Sequence, residues 1–148
     1  MLHFEGDIDF APPPAVVWGK LTDAAFVVGC IPDVQSVTHP APDSAVCVIR
    51  PGFSFVRGTL ELTMKLAAVE DGKTLKATGH GKGIGSSNDV EVLMTLAPHD
   101  AGTRVHWVAD VTNLGGLLKA PPKGLLQGAA QKVIADVWAS VQERLATA

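Results

Sequence analysis

The sequence lacks tyrosine altogether and has only two cysteines, Cys30 and Cys47, among its 148 residues. The absence of tyrosine removes one common proton donor and oxyanion stabiliser from any catalytic site. The two cysteines form neither a CxxC motif nor a Cys/His metal spacing, and the five histidines have no metal-ligand spacing either. We therefore predict two buried free thiols in a reducing compartment, with no metal and no cofactor.

Charged residues are also scarce, at 18% of the chain, and the 12 basic side chains are scattered against 15 acids. No basic cluster provides the electrostatic footprint of a nucleic-acid binder. No window approaches the roughly 18 consecutive apolar residues that would span a bilayer. The N-terminal run MLHFEGDIDF has three acids where a secretory signal would be basic. These absences predict a soluble, cytoplasmic protein with no transmembrane segment and no nucleic-acid partner.

Apolar residues are abundant instead, at 47% of the chain, and the mean hydropathy is +0.24. A chain of 148 residues is the usual size of one domain and buries roughly two-thirds of its unfolded surface. We therefore predict a single domain over residues 1–148. The apolar excess has two explanations, a core rich in small aliphatic residues or apolar surface that lines an internal cavity.

Alternation of apolar and polar residues with a period of two dominates the chain. It predicts one strand that ends before Pro12, two short helices after it, and six further strands that end near Gly115. After Pro122, apolar residues at spacings of three and four predict a long helix to about Leu145. The fold class is therefore α+β, a curved antiparallel sheet of about seven strands with a C-terminal helix across its concave face. Because the short helices separate the first strand from the others, we expect it to pair with the last.

The two faces of the predicted sheet differ in chemistry. Nearly every ionisable side chain falls on the outer face, and the inner face from Val56 to Val111 has aliphatic residues, glycine, methionine or tryptophan. One helix cannot cover a twisted sheet of this length, so part of the inner surface must face a cavity, a ligand or another subunit. A nearly charge-free cavity favours an apolar guest over an anion or a sugar.

Inner-face parity predicts the residues that line such a cavity. From the sheet they are Leu60, Leu62, Met64, Ala77, Gly79, Val92, Met94, Trp107 and Ala109; from the last helix Ile134, Val137 and Trp138; and as a lid Val27 and Ile31. Trp107 and Trp138 are expected to pack near each other, as core or as cavity wall. The glycines at positions 79, 81 and 83 either let the sheet bend or leave room for a guest.

An enzyme would need inward polar groups as general acid or base. Few are available. Ser54, Asn88, Thr112 and Asn113 lie near strand ends, and Arg50 and His80 would face inward if the register shifted by one residue. We assign no catalytic residue, and whether the protein is an enzyme stays open.

Four motifs resemble a known family. They are Phe4-x-Gly6, Val17-Trp18-x-x-Leu21-x-Asp23, Cys30-Ile31-Pro32 and Gly102-Thr103. The sequence resembles the G subunit of carbon monoxide dehydrogenase, a branch of the START-related helix-grip superfamily that includes polyketide cyclases and pollen-allergen-type lipid binders. The resemblance implies a helix-grip fold of about seven strands around the terminal helix, with a deep hydrophobic cavity. It also implies an association with molybdenum hydroxylases, membranes and isoprenoid quinones.

The resemblance implies a binding or carrier protein for a lipid, isoprenoid or quinone, accessory to a molybdenum hydroxylase of the carbon monoxide dehydrogenase type. A cyclase or dehydratase acting on a hydrophobic or polyketide-like substrate is the alternative. Asp33 replaces a glycine usual in the family, and the sequence ends at Ala148 without the extension that tethers longer members to membranes. We therefore expect peripheral membrane contact at most, and either a monomer or a homodimer.

Overall fold

A curved antiparallel sheet and three helices make up the part of the chain that the computed structural model describes, residues 2–31, 34–38, 43–50, 59–83, 85–116 and 122–146. The strands are β1 Leu2–Phe10, β2 Val34–Thr38, β3 Ser44–Ile49, β4 Leu60–Glu70, β5 Thr74–Gly83, β6 Ser86–His99 and β7 Gly102–Gly116; the helices are α1 Pro14–Leu21, α2 Ala24–Gly29 and α3 Lys123–Ala146. Asp33 and Ser54 lie outside these ranges.

The seven described strands form one sheet in the order β1-β7-β6-β5-β4-β3-β2. β1 pairs with β7 along its whole length, from Leu2 opposite Val111 to Phe10 opposite Thr103. The expected pairing of the first strand with the last is therefore confirmed. β1 and β2 are the two edges of the sheet.

The two short helices begin where the sequence provides start signals. α1 starts at Pro14, because proline fits the first helical turn, where no backbone N–H is needed. α2 starts after Asp23, whose carboxylate accepts a hydrogen bond from the backbone N–H of Ala25 at 3.2 Å. Such a cap satisfies an otherwise unpaired donor of the first turn.

A bulge in β7 changes which side chains face inward near its end. Asp89 of β6 lies opposite Asn113, but the next residue, Val90, lies opposite Val111, so Thr112 is an extra residue. An extra residue in one strand reverses the alternation beyond it. Leu114 therefore lies beside Asn88 on the inner side, a position that strict alternation along β7 does not give.

Charged side chains of the sheet pair on the convex side. Asp9 and Arg104 face each other across β1 and β7, with Nε and Oδ1 2.8 Å apart, and His106 Nδ1 lies 2.9 Å from Asp7 Oδ1. The Arg104 guanidinium holds the pKa of Asp9 below its ordinary value. The predicted separation of a charged outer face from an apolar inner face is confirmed for these strands.

Two apolar clusters hold the helices on the sheet. The first, called here the closed end, joins α1, α2 and the C-terminal part of α3 to the sheet through Phe10, Val17, Leu21, Val28, Leu75, Leu96, Val105, Val141 and Leu145. The second, called here the β1–β7 cluster, contains Leu2, Phe4, Ala109 and Val111, with Leu126, Ala130 and Ile134 of α3 packed against them. The architecture is the predicted helix-grip fold. None of the described helices is both long and apolar enough to cross a membrane.

Candidate functional site

The helices cover the concave side of the sheet unevenly. α3 has its most extensive sheet contacts with β1, whereas α2 has its most extensive contacts with β3. β5 and β6 lie between these two strands in the sheet order. Of the described residues, those of the helices therefore approach the centre of the concave face less than its two sides, except where α1 contacts β6 and β7.

Side chains at this centre are half-buried and apolar. Met64, Gly79 and Val90 lie side by side across β4, β5 and β6, and all three are half-buried. Among the described residues, a Cβ atom added to Gly79 would have one neighbour within 4 Å, Cδ1 of Leu62 at 3.4 Å. Residues in a close-packed interior touch many more atoms. The described residues therefore pack loosely next to Gly79.

An aromatic stack borders the centre on the β7 side. The rings of Trp107 and Trp138 lie 6.1 Å apart with their planes 29° apart, and the Phe10 ring lies 6.3 Å from that of Trp138. Gly6 leaves room for Trp107, since a Cβ there would lie 3.1 Å from its Cζ2. The expected pairing of the two tryptophans is confirmed. Both rings are half-buried, so part of each ring has no protein neighbour.

The structure brings most of the predicted lining residues to the concave side. Ten of them are half-buried: Val27, Ile31, Leu62, Met64, Gly79, Val92, Trp107, Ile134, Val137 and Trp138. Four are buried: Leu60, Ala77, Met94 and Ala109. Val92 and Trp107 contact both the closed end and the β1–β7 cluster. Leu60 is not among the described members of either cluster. That this set lines a ligand pocket stays a prediction.

Three further residues reach the same region without having been predicted as lining. Val90 and Leu114 are half-buried and pack against the β1–β7 cluster, and Asn88 lies between Gly81 and Leu114. The alternation already indicated Val90. No local signal gives Leu114, because its orientation depends on the bulge at Thr112.

The polar residues considered for catalysis do not meet on the concave face. Thr112, Asn113 and His80 are all hydrogen-bonded to Asp89, at 3.4, 3.2 and 2.6 Å. The bonds to His80 and Asn113 hold the pKa of the Asp89 carboxyl below its ordinary value. Arg50 is exposed after β3. Of the described candidates, Asn88 is the one on the concave face, so these side chains do not converge as an acid–base pair requires.

Both cysteines are buried free thiols in the structure, as predicted. Burial raises the pKa of the Cys47 thiol to about 11, and burial also raises the pKa of Cys30. A thiol with a raised pKa is a poor nucleophile at neutral pH, because the thiolate is the reactive form. Within the described ranges, no group of three or more histidine, cysteine or acidic side chains lies close enough to hold a metal ion.

Comparison with known proteins gives one family and several similar structures. The model of the CoxG family, the G subunit of carbon monoxide dehydrogenase, matches residues 6–146. A conserved protein from Geobacillus kaustophilus is 22% identical, with a TM-score of 0.86 over 99% of this chain and 96% of that chain. A search of curated proteins found no match.

Two more distant structures share the fold. Ara h 8.0201 is 17% identical, with a TM-score of 0.65 over 99% of both chains. A START superfamily protein from Mycobacterium smegmatis is 8% identical, with a TM-score of 0.70 over 97% of this chain and 96% of that chain. At these identities the likeness concerns the fold alone, because one fold can host many functions.

Proposed function

The chain belongs to the CoxG family of carbon monoxide dehydrogenase, and on this premise we propose that it binds an apolar small molecule. The ligand class is a lipid, an isoprenoid or a quinone. The binding site is the centre of the concave face, between α2 and α3, where the predicted lining residues lie. The protein acts there as a carrier rather than as a catalyst.

The observation that carries this proposal is the combination of low polarity and incomplete burial at the centre of the sheet. Leu62, Met64 and Val92 are large enough to fill a core, yet each keeps accessible surface under the helices. Leu75 and Val105, at the closed end, are almost fully buried on the same face. An apolar ligand over the central residues would remove their remaining surface from water, which is favourable by about 25 cal/mol per Å².

The charge distribution supports a neutral ligand. The described lysine and arginine side chains of the sheet strands are on its convex side, where Lys76 and Lys82 are paired with Glu91 and Glu61. A buried ionised ligand without an opposite charge would have a large desolvation penalty. An apolar, uncharged molecule avoids this penalty.

The test is to identify what the protein carries. Protein purified from the organism that naturally produces it is extracted with organic solvent, and the extract is analysed by mass spectrometry. We expect one class of apolar molecule in stoichiometric amounts. Delipidated protein is then titrated with a panel of quinones and isoprenoids while tryptophan fluorescence is recorded, because Trp107 and Trp138 border the proposed site.

A matched pair of variants places the ligand on one face of the sheet. Val92 and Leu93 are neighbours on β6, one on the concave and one on the convex side, where Leu93 is 43% exposed. We expect Val92→Phe to weaken binding by filling the site and Leu93→Phe to leave it unchanged. Empty extracts in repeated preparations, together with no response to any ligand of the panel, would refute the proposed function.

Membership of this family also indicates a protein partner. We propose that the bound molecule serves a molybdenum hydroxylase of the carbon monoxide dehydrogenase type, because the family is described as the G subunit of that dehydrogenase. Co-elution of the two purified proteins in size-exclusion chromatography is the expected result, and separate elution at micromolar concentrations would contradict it. The single domain, the oligomeric state and the cytoplasmic location stay predictions.

A further inference from the structure

One polar side chain borders the apolar centre of the concave face. Asn88 of β6 lies opposite Gly81 of β5 and Leu114 of β7. Its amide lies across Gly81, where an added Cβ would collide with Asn88 Oδ1. The neighbouring inward positions Val90 of β6 and Leu62 of β4, together with Leu114, provide apolar side chains on three sides of the amide.

The Asn88 amide has no hydrogen-bond partner in the described part of the chain. Every fully buried side-chain nitrogen or oxygen atom there is hydrogen-bonded, so the unpaired amide is not fully buried. No side-chain hydrogen bond of the described residues involves it, whereas the next residue, Asp89, is bonded to His80 and Asn113. Asn88 is half-buried. The amide is therefore accessible on the concave side of the sheet and free to bind a ligand there.

The amide group defines the chemistry that it can recognise. A carboxamide has an acceptor oxygen and two N–H donors and is uncharged. It can therefore donate to a carbonyl oxygen or exchange a hydrogen bond with a hydroxyl. A carboxylate would also accept a hydrogen bond, but the described strands offer its charge no cation on this face, since their basic side chains, Lys65, Lys76, Lys82 and Arg104, lie on the other. Arg144 of α3 lies beside Gly29 of α2, at the closed end.

We propose that Asn88 is the specificity-determining residue of the site and selects apolar ligands with one neutral oxygen group, a hydroxyl or a carbonyl. The corresponding carboxylate and the plain hydrocarbon are discriminated against. The inference rests on the proposed function, because it requires that an apolar ligand enters the concave face. It adds the position of the polar end of that ligand, beside Gly81 and Leu114.

The test uses three ligands with the same alkyl chain, 1-dodecanol, dodecanoate and dodecane, at pH 8. Their affinities are measured with the delipidated protein by tryptophan fluorescence. One hydrogen bond corresponds to an affinity difference of about two- to tenfold. We expect 1-dodecanol to bind about five times more tightly than dodecane, and dodecanoate to bind more weakly than either, because its charge would be desolvated.

Two variants test the role of Asn88 itself. Asn88→Leu keeps the size of the side chain and removes the hydrogen bond, and Asn88→Ala removes most of the side chain without introducing a collision. We expect both variants to bind dodecane at least as well as the unsubstituted protein and to lose the preference for 1-dodecanol. Asn113→Leu, on the convex side of the neighbouring strand, is the matched control and should keep the preference.

The outcomes separate this inference from the proposed function. If the unsubstituted protein binds the ligands but shows no preference for the alcohol, or if the preference persists in both Asn88 variants, Asn88 does not select the ligand and only the inference fails. If none of the three ligands binds, the proposed function fails as well.

Discussion

Replacing Gly79 with leucine distinguishes an open concave centre from a filled one by the sign of the stability change. Gly79 lies in the middle of β5 with its missing side chain directed to the concave side, and an added Cβ would meet, of the residues in the described ranges, Leu62 Cδ1 at 3.4 Å. Its backbone is not in the left-handed region that requires glycine. The leucine side chain therefore projects into the region between the concave side of the sheet and the helices.

The change in the free energy of unfolding has opposite signs in the two cases, and the two values differ by several kcal/mol. In an open space, a leucine side chain that becomes buried is worth about 1.5–3 kcal/mol, and removing glycine from a strand adds about 0.5–1 kcal/mol. Incomplete burial reduces the sum, so we expect the free energy of unfolding to rise by about 1–2 kcal/mol. In a filled interior, the added side chain would lower it by about 1–3 kcal/mol. The variant should also weaken ligand binding more than tenfold, by occupying the site.

The assay is urea unfolding of delipidated protein, followed by tryptophan fluorescence and circular dichroism. Gly102→Ala is the control for a genuine collision, because a Cβ there would run into the carbonyl oxygen of Phe10 and lie 3.0 Å from that of Ala11. It should lose stability whatever the state of the concave centre. A loss of stability in Gly79→Leu comparable to that of the control would refute the reasoning.

Three further predictions concern the frame around the site. Thr103→Val should lower the free energy of unfolding by about 1–3 kcal/mol, because the buried Thr103 hydroxyl donates to the Pro12 carbonyl oxygen at 2.9 Å; Thr103→Ser, which keeps the donor, should lose much less in the same urea assay. Ala101→Gly should raise the free energy of unfolding by about 0.5–1 kcal/mol, because Ala101 has a φ of 66°. Gly72→Ala should lower the free energy of unfolding, because Gly72 has a φ of 77°. Equal effects of the two changes would contradict this. Because burial raises the pKa of Cys47 to about 11, its thiolate is scarce at pH 8, and a colorimetric thiol reagent should react with the native protein only as fast as it unfolds; rapid labelling in native buffer would be inconsistent with the structure.

Much of the fold follows from local patterns in the sequence. The alternation in β1 and β4 to β7 defines strands and faces because a sheet with one polar side repeats every two residues. The capping residue Asp23 and the proline at the start of α1 mark helices that the structure places there. The pairing of β1 with β7 followed from the interruption of the chain by α1 and α2.

Other features depend on contacts that a local pattern does not encode. In the turn between β6 and β7, the positive φ values belong to Asp100 and Ala101 and not to the neighbouring Gly102. Gly102 is instead required by the close approach of Phe10, a residue far away in the chain. Leu114 faces inward only because of the bulge at Thr112, which is set by pairing with β6. How far the helices cover the concave centre likewise depends on where α2 and α3 pack, not on any one strand.

A methyl NMR titration with 1-dodecanol tests the central claim most directly, because it shows where on the protein an apolar ligand sits. We expect chemical-shift changes and intermolecular contacts for the methyl groups of Leu62, Met64, Val90 and Ile134. The methyl groups of Leu93 and Val108, on the convex side of β6 and β7, should not respond. Saturable binding with its contacts on the convex methyl groups, or no contact with the concave ones, would contradict the account.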